Sequence, residues 1–245
     1  MEFTEDNKIF DYIGQKFPNL KIQGGCLYVV STPIGNMGDI SFRALFTLKN
    51  VDLIACEDTR VTSSIMHKFG IKAKLISYFS RVENSKLVYI TDELKSGKSV
   101  AIVSDSGTPC ISDPGKKLIS QCAAEGIKII PVPGASSVVH SLVMSGFDTE
   151  EFYFYGFLPQ KGRENVLISL KEINMPIVIF ESKYRIRRTL AELLKVFGNR
   201  EVSIAREMTK KFEGFYRGKL KEIVSNTDGI KEKGEFVIIL NNFIH

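Results

Sequence analysis

From about residue 26 onward, short apolar runs alternate with amphipathic stretches of helical period. Leu27-Tyr28-Val29-Val30 reads as a strand. Phe42, Leu45, Phe46 and Leu48 then recur on one helical face behind Asp39, the expected cap. A second strand is expected over 52–56. The helix after it carries Val61, Ile65, Met66 and Phe69 on one side and ends at Gly70. Further strands are expected over 75–78, 99–104 and 128–132, with helices near 84–96 and 114–125. Strands separated by helices of this length pair in parallel through right-handed crossovers, giving a helix-covered sheet.

After Gly146 the pattern changes. Residues 152–157 form an aromatic-rich run, read as a strand with its rings in the core, and 158–163 read as a loop. Strands over 177–180, 202–205 and 236–240 follow. Between the first two lies a helix with Ile186, Leu190, Leu193, Leu194 and Phe197 on one face. The expected architecture is two α/β domains: a loosely attached extension over 1–25, a first domain over 26–148 and a second over 149–245.

Composition narrows the class. The chain has 245 residues, 44% hydrophobic and 25% charged, which is ordinary globular usage. No run approaches the length of a membrane span, and the mixed-charge N-terminal segment lacks the apolar region of a secretory signal, so a cytoplasmic protein is expected. Cys26, Cys56, Cys110 and Cys122 are scattered without a CxxC pair, and the three histidines are unpaired. Reduced thiols and no metal are therefore expected. Residues 1–150 hold 16 basic and 16 acidic side chains, whereas 151–245 hold 17 and 12, so the net charge of +5 falls in the second part. Such a bias suits a polyanion or a solvated basic face.

Three loops leaving expected strand ends are dense in small and turn-forming residues: 31–36, 104–115 and 131–137. Ligands of parallel sheets bind at those ends. Gly107 and Gly134 are expected where a side chain would strike a ligand or need an unfavourable φ. GxGxxG and GxxxxGK[ST] are both absent, which argues against dinucleotides and P-loop nucleotides. Asp105-Ser106-Gly107-Thr108 is a faint match to an aspartyl phosphatase loop but lacks its second aspartate.

The blocks Leu27 to Asn36, Glu57-Asp58-Thr59-Arg60, 104–109 with 111–115, Pro133-Gly134-Ala135-Ser136, Gly156-Phe157-Leu158-Pro159, 205–210 and Lys233-Gly234-Glu235 together resemble the ribosomal RNA small subunit methyltransferase I family of the tetrapyrrole-methylase superfamily. The resemblance spans about residues 27–240. It implies two α/β domains with an active-site cleft between them, S-adenosylmethionine as cofactor and a homodimer. The implied reaction is 2′-O-methylation of a cytidine in the decoding region of small-subunit ribosomal RNA, free or in the assembled subunit. Carried over residue by residue, cofactor contacts fall on Pro33, Ile34, Gly35, Gly107, Thr108, Ile111, Ser112, Ala135 and Ser136, with Phe180, Glu181 and Ala205 from the second domain. Where the family commonly has histidines, this chain has Phe79-Ser80-Arg81-Val82 and Lys183-Tyr184, so no histidine role carries over.

A ribose hydroxyl needs an acceptor for its proton. Glu181, Glu207 and Lys210 are the candidates, and Arg60, Arg185, Arg187, Arg188 and Arg206 are candidates for holding RNA phosphates. For Glu181, Arg206 and Glu207 simple structural ion pairing is the competing reading. A relative acting on a corrin, a porphyrin or a modified protein histidine, and an RNA-binding module without chemistry, are the alternative functions.

Overall fold

The computed structural model describes residues 8–226 and 233–243. The chain divides into two compact units, Met1–Ser136 and Ser137–His245.

The first unit is built on five parallel strands: β1 (Cys26–Val30), β2 (Leu53–Cys56), β3 (Leu75–Ser77), β4 (Val100–Val103) and β5 (Lys128–Val132), in the order β3-β2-β4-β1-β5. Side chains alternate between the faces of each strand, and both faces are covered. Cys26, Tyr28, Val30, Ile54, Ala101 and Val103 pack with helices α1 (Lys8–Lys16), α2 (Phe42–Asn50) and α3 (Thr59–Lys68). Leu27, Leu53, Ala55, Val100 and Ile102 pack with α4 (Glu83–Lys95) and α5 (Lys116–Ala124). Strands buried on both sides are why these segments read as continuous apolar runs.

Two expectations are corrected here. Residues from Lys8 onward are no loose appendage, because Phe10 and Ile13 of α1 are buried in the first core. The cap of α2 is Ser41, whose hydroxyl accepts from the Ala44 N–H; Asp39 ends a 3-10 turn, Met37–Asp39, which Asn36 caps.

The second unit comprises α6 (Ser137–Ser145), β6 (Tyr153–Phe157), α7 (Arg163–Leu170), β7 (Ile177–Ser182), α8 (Ile186–Phe197), β8 (Glu201–Arg206), β9 (Gly214–Lys219), α9 (Leu220–Ser225) and β10 (Glu235–Leu240). Its sheet runs β6-β7-β10-β8-β9, and only the β6/β7 pair is parallel. One face packs Ile177, Ile179, Ile204 and Ile238 under Leu167, Leu190, Leu193 and Leu220. On the strands α6 packs against β10 and β8. The division therefore falls after Ser136, not near 148, because α6 buries Val138 and Leu142 with the second sheet. The aromatic run over 152–157 also departs from expectation. Phe152, Tyr153 and Phe157 are exposed, and only Tyr155 packs against the core.

Candidate functional site

In the first sheet the chain leaves β1 through α2 on one face and leaves β4 through α5 on the other, and β1 and β4 are neighbours. That is a topological switch point, where the loops of an open α/β sheet diverge and leave a crevice. The two loops meet there. The Thr32 N–H donates to Gly107 O at 2.9 Å, and the Thr32 hydroxyl donates to Ser104 O at 3.1 Å. The third loop joins from β5 on the other side. The Ser31 N–H donates to Val132 O at 3.1 Å, the Ser31 and Thr108 hydroxyls are 3.0 Å apart, and the Thr108 hydroxyl donates to Ala135 O at 3.3 Å.

Both singled-out glycines are explained by this knitting. Gly107 has φ +80°, and a Cβ there would lie 3.1 Å from Ile34 Cγ2. Gly134 has no unusual φ; its Cβ would lie 2.9 Å from Ser31 Cβ. The loops are thus pressed against each other. Pro33, Ile34, Gly107, Thr108, Ala135 and Ser136 gather here, while Gly35, Ile111 and Ser112 lie at the exposed margin. Cys110 at φ +70° and Ser112 at φ +64° are left-handed without being glycine, a strain that persists only where the surroundings impose it. At the far end, Glu83 of α4 is buried and its carboxylate accepts the Gly115 N–H at 2.9 Å, fixing the start of α5.

Carboxylates border these loops. Burial pushes Asp113 up to about 6, with Glu57 adding repulsion. Burial likewise raises Glu57 and Asp105. Asp58 is held down to about 2 by its hydrogen bonds from Arg60, whose guanidinium is otherwise exposed. Asp113 stands in the 111–115 block of the sequence, but its partial burial beside Glu57 became visible only in three dimensions. Among the described residues no group of three His, Cys, Asp or Glu side chains is placed to hold a metal ion, and no helix is long and apolar enough to cross a membrane.

The second unit separates its candidates by sheet face. Phe180 pairs with Val237, which pairs with Ala205, so Phe180 and Ala205 share one row and one face. Glu181 follows Phe180 and faces the other way, under α8. Its Oε2 accepts from the Thr189 hydroxyl at 2.6 Å and lies 3.6 Å from Arg163, and its Oε1 takes Arg185 Nε at 2.8 Å and the Ser182 N–H at 2.7 Å. With both oxygens engaged and 2% exposure, Glu181 is a structural anchor and not a free proton acceptor. Arg163 and Thr189, which the sequence reading did not single out, complete that network.

Arg206 is also corrected. It is buried and donates to Lys233 O at 2.8 Å and Phe212 O at 2.5 Å, so it holds two loops together and is not placed to meet a phosphate. Arg185 is half-buried against Glu181 and Leu158 O, whereas Arg187 and Arg188 are exposed on α8. Glu207 (φ +48°) and Thr209 (φ +66°) are left-handed. Burial pushes the Glu207 carboxyl up, but the Glu235 N–H and Lys210 outweigh it and hold it below its usual range. Both bonds fall on Oε1, at 2.9 and 3.1 Å. Lys210 is lowered by burial yet raised overall by Glu235 and Glu207. It stays protonated and cannot accept a proton.

Comparison with known proteins identifies the family. Residues 26–224 match the model of the family described as Tetrapyrrole (Corrin/Porphyrin) Methylases. The chain is 47% identical over 218 residues to a protein of Thermotoga maritima named ribosomal RNA small subunit methyltransferase I, covering 89% of this chain and 98% of that one. A Bacillus subtilis protein of the same name is 40% identical over 224 residues, covering 91% and 77%. Among solved structures, a uroporphyrin-III-C-methyltransferase from Thermus thermophilus superimposes with a TM-score of 0.61 at 15% identity, covering 89% of this chain and 95% of that one; it bears on the fold alone. The chain belongs to the tetrapyrrole methylase family and, within it, to the ribosomal RNA small subunit methyltransferase I family, with S-adenosylmethionine as its cofactor.

Proposed function

We propose that the protein transfers the methyl group of S-adenosylmethionine to the ribose 2′-hydroxyl of a cytidine in the decoding region of small-subunit ribosomal RNA, working as a homodimer in the cytoplasm. The observation that carries the RNA substrate is the 47% identity, over nearly the whole length, to a protein named for small-subunit ribosomal RNA. The basic excess over 151–245 supports it, since phosphates reward lysine and arginine through counterion release.

The three knitted loops of the first unit fit the cofactor. Their close knitting, with no room for a Cβ at Gly107 or Gly134, holds the three loop backbones together at the strand ends, where ligands of parallel sheets bind. Pro33, Ile34, Gly35, Gly107, Thr108, Ile111, Ser112, Ala135 and Ser136 would hold it, with Phe180 and Ala205 contributed by the second unit. When bound, the cofactor supplies a methyl group activated by its sulfonium. The protein's own task is then to position the hydroxyl in line and to accept its proton. Glu207 is the acceptor this reading favours: Glu181 has both oxygens engaged, whereas the bonds to Glu207 from Lys210 and the Glu235 N–H fall on Oε1. Arg60, Arg187 and Arg188 would meet phosphates.

The test is mass-spectrometric mapping of 2′-O-methyls in small-subunit RNA from a deletion strain, followed by methylation in vitro of free RNA and assembled subunits. Loss of one cytidine methyl in the strain, restored by the purified protein with S-adenosylmethionine, is the expected result. An unchanged methylation map would refute the assignment. Sedimentation at micromolar concentration tests the dimer.

A further inference from the structure

Val178 and Phe180 lie two residues apart on β7, yet their partners on β6 are Phe154 and Phe157, three residues apart. The extra residue is a β-bulge, and Gly156 within it takes φ +83°, a conformation glycine adopts without strain. Its effect is to re-aim one ring. In a regular strand Phe157 would alternate onto the side of Tyr155, which packs into the core. The bulge instead puts Phe157 beside Phe154, and both meet Phe180 edge-on, with centroids 5.4 and 5.2 Å away. Phe157 nonetheless stays 54% exposed. The bulge therefore spends a core position on holding a large apolar ring in water.

The segments that continue the parallel strands β6 and β7 carry cations. Lys161 follows β6 and Lys183 follows β7, both exposed, and Lys183 Nζ sits 4.8 Å from the centroid of Tyr184, itself 84% exposed. The carboxylates of the same segments are neutralised: Glu181 by Arg163 and Arg185, Glu192 by Arg163 and Arg188, Glu164 by Lys195. Exposed aromatic rings beside exposed lysines are what unpaired nucleotides bind, bases on the rings and phosphates on the cations.

We infer that Phe157, braced by Phe154 and Phe180, is a stacking platform for a base of the RNA substrate, with Lys161 and Lys183 meeting the adjoining phosphates. The inference rests on the RNA reading above and adds to it the subsite that grips an unpaired nucleotide.

The chain contains no tryptophan, so Phe157→Trp installs a single fluorescent reporter at the platform. A short single-stranded oligoribonucleotide carrying the decoding-region sequence should quench it, and S-adenosylmethionine alone should not. Phe157→Leu keeps apolar bulk against Phe180 but removes the π face. It should weaken binding of that oligonucleotide about five- to 150-fold, with an unchanged thermal melt and unchanged cofactor affinity, while Phe157→Trp retains binding. Wild-type affinity in Phe157→Leu, or no quenching by the RNA, overturns the platform. Quenching by cofactor alone also overturns it and assigns the ring to the adenine. If the wild-type protein binds neither the oligonucleotide nor small subunits, the RNA reading itself fails, an outcome separate from the others.

Discussion

Gly134 presses on Ser31 so closely that a Cβ added to it would stand 2.9 Å from Ser31 Cβ. Ser31 in turn is bonded to β5 through its N–H and touches Thr108 through its hydroxyl. A side chain at position 134 would therefore push the first loop away from the other two. Gly134→Val should abolish binding of S-adenosylmethionine in calorimetry while the protein stays folded by circular dichroism. Unchanged affinity would reduce the third loop to a plain turn.

Asp113 supplies a pH signature. Burial raises its carboxyl from an ordinary 3.8 to about 6. The folded state therefore binds more protons than the unfolded one between about pH 4 and 6, and stability must fall as pH rises through that window. Asp113→Asn removes this contribution. Melting temperatures of wild type minus variant should decline from pH 4 to 6 and level off above about 7. A flat difference would mean that Asp113 is solvated. Glu57 and Asp105, also raised, leave a slope of the same sign in the variant.

Glu181 should reveal itself through stability. It lies with Arg163 in a nearly dry site, the two side chains 0% and 3% exposed, and removing it takes a charged partner from the Thr189 hydroxyl and from Arg185 while Glu192 still pairs Arg163, a loss of about 1–3 kcal/mol. Urea unfolding of Glu181→Ala should show a loss of that order. Cofactor affinity at a temperature where the variant is folded should stay near wild type. Full stability with no turnover would instead restore Glu181 as a proton acceptor.

The sequence displayed the first unit far better than the second. Its strands are buried on both faces and its helices on one, so the apolar periods change from run to run at each boundary. The three loops announced themselves by their glycines, prolines and serines. Their contacts did not, because Thr32 and Gly107 are 75 residues apart. In the second unit, β9 (GFYRGK) is an edge strand of intermediate and exposed residues, with no alternation to read. The bulge at Gly156 defeated the pattern of β6 directly, since one inserted residue reverses the inside and outside of everything after it. Glu181 and Arg206 read as site residues because a carboxylate can take a proton and an arginine can hold a phosphate, and only partners distant in sequence, Arg163 and Lys233, show what they hold.

The arginines at the start of α8 now divide into two kinds. Arg185 is bound to Glu181 and to Leu158 O, with 26% of its side chain exposed. Arg188 is 66% exposed and paired at the surface with Glu192, a contact that competes weakly with a phosphate. Arg187 is exposed one residue earlier. Replacing Arg187 and Arg188 together with Ala should weaken RNA binding and reduce the slope of log affinity against log salt by about 0.7 per lost contact on single-stranded RNA, or about 0.9 on duplex. Thermal stability should change little. Arg185→Ala should do the reverse, lowering stability by uncovering Glu181 and leaving the salt slope nearly intact. Filter binding at several salt concentrations, with melting curves on the same preparations, separates the two. Should Arg185→Ala alone flatten the salt dependence, its guanidinium leaves Glu181 to meet RNA, and the buried network over α8 is weaker than its distances suggest.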